Sequence, residues 1–126
     1  MGKKILVIED NDLNRTLLRD VLEYFGYEVT EAANGAEGID RVRESPPDLI
    51  LLDIQMPVMN GFTSIGVLRS DPVLGGTKII ALTSFAMKGD RERVMAAGFY
   101  DYLTKPVDTR ALPQQVRQWL GDAEAD

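Results

Sequence analysis

The chain has 126 residues, of which 44% are hydrophobic, and this is enough for one domain with a full hydrophobic core. It contains no cysteine and no histidine, which excludes disulfides, thiolate chemistry, a phosphohistidine and any imidazole base or ligand. A net charge of −6 argues against nucleic acid as a direct partner, and no apolar run reaches the roughly 18 residues of a membrane span. No signal peptide opens the sequence, so we expect a cytoplasmic protein without membrane contact, in which any metal is held by oxygen atoms.

Apolar strands and helices with amphipathic spacing alternate five times along the chain. The predicted strands are 3–8, 27–32, 48–53, 78–83 and 100–104. The predicted helices are 11–25, 36–44, 62–70, 88–97 and 108–120. This alternation predicts an α/β fold with a parallel sheet and helices on both faces. We expect the domain to take up residues 1–121 and the acidic tail 122–126 to be frayed.

Polar side chains follow four of the predicted strands. They are Glu9 and Asp10 after the first strand, Asp53 at the end of the third, Thr83 and Ser84 at the end of the fourth, and Lys105 and Pro106 after the fifth. Ligands of such sheets bind beyond the carboxyl ends of the strands, where the strand order switches. If strands one, three, four and five are neighbours, three carboxylates, two hydroxyl groups and one ammonium group converge in one cleft.

This set of side chains indicates a cation site that also handles phosphate. Three close carboxylates repel one another and one lysine cannot neutralise them, so a divalent cation is expected. Few protein oxygens are available, which favours magnesium over calcium because magnesium keeps several of its waters. A cation, a lysine and a hydroxyl group can together hold a phosphoryl group, and Asp53 would then be a nucleophile that becomes an aspartyl phosphate.

Each of these residues also has an ordinary structural explanation. The acidic pair could favour a helix N-terminus, Asp53 and the two hydroxyl residues could be caps, and Lys105 could lie on the surface. These explanations are independent of one another, so four separate strand ends would have to imitate one site by chance.

The strand-end motifs together resemble those of response-regulator receiver domains, and the similarity extends over the whole chain. The matching residues are Glu9 and Asp10 after ILVI, Asp53 in LLDIQMPVMNG, Thr83 in IIALTS, and Lys105 and Pro106 in YLTKP. The segment EDNDLNR most resembles stand-alone cell-cycle receivers and the receiver modules of hybrid kinases. The resemblance implies a flavodoxin-like, doubly wound (βα)5 three-layer sandwich with strand order 2-1-3-4-5. It also implies a switch of two-component or phosphorelay signalling rather than an enzyme.

The resemblance implies that Asp53 is the phosphoacceptor and that Mg²⁺ is the cofactor. Asp10, Asp53 and the backbone carbonyl of Gln55 would bind the ion directly. Glu9 would act through water, which is the more plausible because the first acid is Glu here and is more often Asp in the family.

Further roles follow from the same resemblance. Thr83 and Ser84 would bind the phosphoryl group, Lys105 would pair with it, and Tyr102 matches the aromatic residue that turns inward on activation. The bond between Lys105 and Pro106 is implied to be cis, the isomer that only an X-Pro bond adopts at low cost.

Partners are implied in the same way. A histidine kinase or a histidine phosphotransfer protein would dock beside the acidic pair, on Leu13, Asn14 and Arg15. A downstream protein target would bind the surface formed by the fourth helix, the fifth strand and the last helix, which we call the output surface.

Gln55 and Phe85 would flank the water that hydrolyses the phosphate. Neither side chain is a base, so slow hydrolysis is expected.

Two other classes of protein fit this sequence less well. A flavodoxin-type electron carrier needs a hydroxyl- and glycine-rich phosphate loop after the first strand, and the acidic segment EDNDLN would repel an FMN phosphate. A phosphatase that uses an aspartyl phosphate places a second acid two residues after the nucleophile. Gln55 occupies that position and cannot transfer protons.

Overall fold

The computed structural model describes residues 3–55, 61–71, 77–84 and 88–121, and the predicted tail 122–126 lies outside them. The strands are β1 Lys4–Ile8, β2 Glu28–Ala32, β3 Leu49–Asp53, β4 Lys78–Thr83 and β5 Asp101–Thr104. The helices are α1 Asp12–Tyr24, α2 Gly35–Glu44, α3 Gly61–Arg69, α4 Lys88–Ala96 and α5 Leu112–Leu120. Within these ranges, no helix combines the length and the hydropathy that a membrane crossing requires.

The five strands form one parallel sheet in the order β2-β1-β3-β4-β5, which confirms the predicted flavodoxin-like arrangement. The chain leaves β1 toward β2 on one side and returns to place β3 on the other side of β1. The strand order therefore switches between β1 and β3, where Ile8 is in register with Leu52. A crevice opens beyond the carboxyl ends of strands at such a point.

The hydrophobic core has two layers because strand side chains alternate between the faces of the sheet. Leu6 and Ile50 point into the layer formed with α2, α3 and α4. Ile5 and Leu51 point into the layer formed with α1 and α5, where Trp119 also packs. The molecule is thus a three-layer sandwich, and the buried strands hold their carboxyl ends in fixed positions.

The last helix begins later than the sequence pattern predicts, at Leu112 rather than at residue 108. Asp108 forms a turn instead, since its side chain accepts hydrogen bonds from the backbone N–H groups of Arg110 and Ala111. Pro113 explains the new boundary. Proline lacks an N–H donor and is tolerated only in the first turn of a helix, so α5 cannot extend a full turn before it.

Two glycine substitutions are expected to have opposite effects on stability. A Cβ atom at the buried Gly38 of α2 would clash with Cδ1 of Ile8 and lie 2.9 Å from its Cγ1, and Ile8 is fully buried and cannot move into solvent. Overpacking costs about 1–3 kcal/mol, which exceeds the gain in helix propensity of about 1 kcal/mol, so Gly38→Ala should be destabilising. Gly66 of α3 has no such neighbour within 4 Å, and Gly66→Ala should stabilise by up to about 1 kcal/mol.

Urea unfolding of both alanine variants and the wild type measures this difference. A Gly38→Ala protein as stable as Gly66→Ala would contradict the close packing of α2 on β1.

Candidate functional site

Three carboxylates meet at the carboxyl edge of the sheet. Glu9 follows β1 and Asp53 ends β3, and because these strands are neighbours the two side chains lie together. Both are only 1% exposed, whereas Asp10 is exposed to solvent. One carboxylate oxygen from each residue lies within 4.8 Å of the others. The predicted convergence of the acidic pair with Asp53 is therefore present.

Lys105 lies between two of these acids. Its Nζ donates a hydrogen bond to Oδ2 of Asp53 at 2.8 Å and lies 3.1 Å from Oε1 of Glu9. Its backbone N–H donates to the carbonyl oxygen of Thr83 at 2.8 Å, which fixes the residue just beyond β5. The bond between Lys105 and Pro106 is cis, the isomer that the sequence motif implies. Burial alone would lower the pKa of Lys105, but the hydrogen bonds and charges of the two carboxylates raise it overall, so the ammonium form persists.

The pKa of Glu9 is strongly raised in the folded protein. Burial is the largest cause that raises its pKa, from an ordinary 4.5 to about 7, and the hydrogen bond and the charge of Asp53 act in the same direction. The backbone N–H of Asn11, 3.1 Å from Oε2, and the ammonium group of Lys105 partly oppose the rise. In the absence of a cation, a proton on Glu9 thus relieves the repulsion between the carboxylates near neutral pH.

The carboxylate of Asp53 is oriented by donors on both sides. Its Oδ1 accepts the backbone N–H of Gln55 at 2.8 Å, while its Oδ2 is held by Lys105. Such an arrangement can present a carboxylate as a nucleophile, with an ammonium group already placed to neutralise charge on a group that it accepts.

The residues at the end of β4 complete the wall of the cleft. Thr83 is fully buried and pairs in register with Thr104. Ser84 is exposed, and its backbone N–H donates to the side-chain amide oxygen Oε1 of Gln55 at 2.6 Å. Sequence reasoning did not find this bond, and no sequence pattern signals it. Phe85, predicted to flank the water that hydrolyses the phosphate, lies outside the described residues.

Tyr102 lies on β5, which β4 separates from the strand that carries Asp53. It is half-buried and packs against the core layer beneath α4. The guanidinium carbon of Arg91 lies 5.9 Å from the centre of its ring, at the outer limit of a cation–π contact. The predicted switch residue is therefore linked to α4, one of the elements of the predicted output surface.

The predicted docking residues on α1 fall into two groups. Leu13 is 80% exposed, and the exposed Asn14 lines a groove with Leu17 and Pro106. The guanidinium group of Arg15, in contrast, is turned inward. It donates to the carbonyl oxygen of Glu9 at 2.7 Å and forms ion pairs with Asp12 and, at 3.4 Å, with Glu31. Arg15 thus holds in place the acidic turn after β1, which carries Glu9 and Asp10.

Comparison with known proteins agrees with this geometry. Residues 5–117 match the response regulator receiver domain family, and the chain belongs to that family. It is 42% identical over 123 residues to the polar-differentiation response regulator DivK of Brucella anthropi, an alignment that covers 98% of this chain and all of that protein.

Two solved structures are also similar. The first is the receiver domain of the Pseudomonas aeruginosa sensor histidine kinase PA1611, with a magnesium ion coordinated in its active-site cleft (36% identity, TM-score 0.87, 96% of this chain and 99% of that one). The second is a co-crystal structure of the Saccharomyces cerevisiae histidine phosphotransfer protein Ypd1 with the receiver domain of its downstream response regulator Ssk1 (28% identity, TM-score 0.83, 94% and 88% covered). The chain is accordingly a response-regulator receiver domain of two-component signalling, a class of signalling switch rather than a conventional enzyme.

Proposed function

We propose that this receiver accepts a phosphoryl group on Asp53 from a phosphohistidine partner and then switches a protein-binding surface. The observation that carries the proposal is the buried Asp53 carboxylate, which is held by Lys105 and lies close to the carboxylates of Glu9 and Asp10. An oxygen of Asp53 attacks phosphorus, the bond from phosphorus to the partner's histidine nitrogen breaks, and the nitrogen keeps the electron pair. The Lys105 ammonium pairs with the incoming phosphoryl oxygens, and the Thr83 hydroxyl donates to one of them.

The donor set fits magnesium. Three carboxylate groups with oxygens inside a 4.8 Å span exceed the charge that one ammonium group can balance. The residues that would hold the ion are Asp10, Asp53 and the backbone carbonyl of Gln55, with Glu9 acting through water. Bound magnesium would neutralise negative charge on the phosphoryl oxygens during transfer. The similarity to the magnesium-bound PA1611 receiver supports this choice.

The phosphodonor would be a histidine kinase or a histidine phosphotransfer protein. It would dock on the exposed Leu13 and on the groove that Asn14 and Leu17 form with Pro106, directly beside Lys105. The complex of the similar Ssk1 receiver with Ypd1 supports a partner of this kind. Arg15 would contribute by fixing the acidic turn. Without a side-chain base at position 55, we expect slow hydrolysis of the phosphate and its removal by a partner.

Incubation with magnesium and acetyl phosphate, followed by intact-mass measurement, tests the phosphoacceptor role. Wild type should gain the mass of one phosphoryl group, and the gain should disappear when magnesium is chelated. Asp53→Asn should gain nothing, whereas Asp40→Asn, a matched change at an exposed position of α2, should behave as wild type does. Full modification of Asp53→Asn would contradict the proposal.

Phosphorylation would reach the output surface through Thr83 and Tyr102. Movement of the Thr83 hydroxyl toward the phosphoryl group vacates space beside β4, which the half-buried Tyr102 ring can fill, and this changes the face formed by α4, β5 and α5. Thr83→Ala should still accept phosphate but should no longer shift the Tyr102 ring resonances in NMR spectra. Equal ring shifts in phosphorylated Thr83→Ala and wild type would refute the coupling.

A further inference from the structure

Gln55 links Asp53 to the end of β4, with its backbone bonded to Asp53 and its side chain bonded to Ser84. Its backbone N–H donates to Oδ1 of Asp53 at 2.8 Å, and its side-chain Oε1 accepts the backbone N–H of Ser84 at 2.6 Å. Asp53 is in register with Leu82 on the neighbouring strand, so Ser84 lies just beyond the carboxyl end of β4. One glutamine therefore bridges the acceptor carboxylate and a backbone donor on the facing wall of the cleft.

The Ser84 donor is placed where an anion beside Asp53 could use it. Its N–H points toward residue 55, and a phosphoryl group on Asp53 would bring three anionic oxygens into this part of the cleft. A hydrogen bond to an anionic oxygen is roughly twice as strong as one to a neutral amide oxygen. The phosphoryl group and the Gln55 amide oxygen would consequently compete for the Ser84 N–H, and the stronger bond to the phosphoryl group would displace the amide.

We propose that the Gln55 side chain is an internal competitor that occupies the Ser84 donor while Asp53 is unphosphorylated and is displaced on phosphorylation. This inference rests on the proposed phosphoacceptor role of Asp53. It gives Gln55 a function in addition to its predicted effect on hydrolysis, because the side chain lowers the affinity of the cleft for phosphoryl groups. Displacement of the amide breaks the side-chain link between Gln55 and the end of β4.

Beryllofluoride, an anionic mimic of the phosphoryl group, tests the competition at saturating magnesium. Gln55→Met keeps much of the side-chain bulk but removes the amide acceptor, and it should bind beryllofluoride about fivefold more tightly, the equivalent of one neutral hydrogen bond. Gln55→Ala should act in the same direction. Gln118→Met, the same change at an exposed position of α5, should match wild type.

The amide resonance of Ser84 separates this mechanism from a general structural effect. In the free state the resonance should move between wild type and Gln55→Met, because the hydrogen bond is lost, whereas the beryllofluoride-bound forms should agree. Equal or weaker beryllofluoride binding by Gln55→Met, or an unmoved Ser84 resonance, overturns the inference. A wild type that binds no beryllofluoride and takes no phosphate from acetyl phosphate overturns the proposed function itself.

Discussion

The metal-free protein should lose about 2 to 3 kcal/mol of its free energy of unfolding as the pH rises from about 5 to about 7.5, because Glu9 ionises in this range. Its pKa is raised from 4.5 to about 7 by burial and by the neighbouring Asp53. A raised carboxyl pKa means that the folded state holds a proton that the unfolded chain has released. The stabilisation is thus fully present below the unfolded pKa and disappears as the pH passes the folded pKa.

The absence of histidine makes this effect measurable, since no imidazole titrates in the same range. Urea unfolding in the presence of a chelator, repeated across this pH range, should give a stability that falls steadily in wild type. In Glu9→Gln, which cannot ionise, the decline should be absent. A wild-type stability that is flat or rises over this range would show that Glu9 is not a high-pKa acid.

Replacement of Lys105 by methionine should cost about 2 to 3 kcal/mol of stability above neutral pH and should abolish most phosphorylation. The ammonium group contacts both Asp53 and Glu9, which are each 1% exposed, and its removal leaves two buried carboxylates without a cation. Loss of one partner of a fully buried ion pair costs about 3–5 kcal/mol. The side chain of Lys105 is 21% exposed, so we expect a smaller loss.

Lys3→Met is the matched control, because the Lys3 side chain is exposed. The hydrogen bond that Lys3 forms with Glu28 of β2 uses its backbone carbonyl oxygen, which the substitution leaves unchanged. This variant should remain within about 0.5 kcal/mol of wild type. The cost of Lys105→Met should also shrink near pH 5, where Glu9 is protonated and no longer needs a cation. Equal stability of the two methionine variants at pH 8 would mean that Lys105 does not neutralise the buried acids.

The sequence was sufficient to predict the sheet and the groups at its edge, because topology alone brings strand ends together. Buried runs predicted the strands, and their alternation with helices predicted the parallel direction. The strand order that brings Glu9, Asp53 and Lys105 together was implied by the resemblance to receiver domains. The directions of long side chains could not be predicted in this way. The inward turn of Arg15 depends on Glu31 of β2, and the bond from Ser84 to Gln55 depends on the register of β3 with β4. Both are contacts between residues distant in sequence, and no local pattern encodes them.

The start of the last helix was mispredicted for a local reason. Apolar spacing favoured a helix from residue 108, but the turn formed by Asp108 and the proline at 113 set the first turn later. Turn chemistry therefore overrode hydrophobic periodicity at this boundary.

Chemical trapping of the phosphorylated residue tests the central claim most directly. Borohydride reduces an acyl phosphate to an alcohol, so an aspartyl phosphate becomes homoserine and can be located by peptide mass mapping. After incubation with magnesium and acetyl phosphate, we predict homoserine at position 53 and aspartate at position 10. Homoserine at position 10, or a phosphorylated protein without homoserine at position 53, would contradict the assignment of Asp53 as the phosphoacceptor.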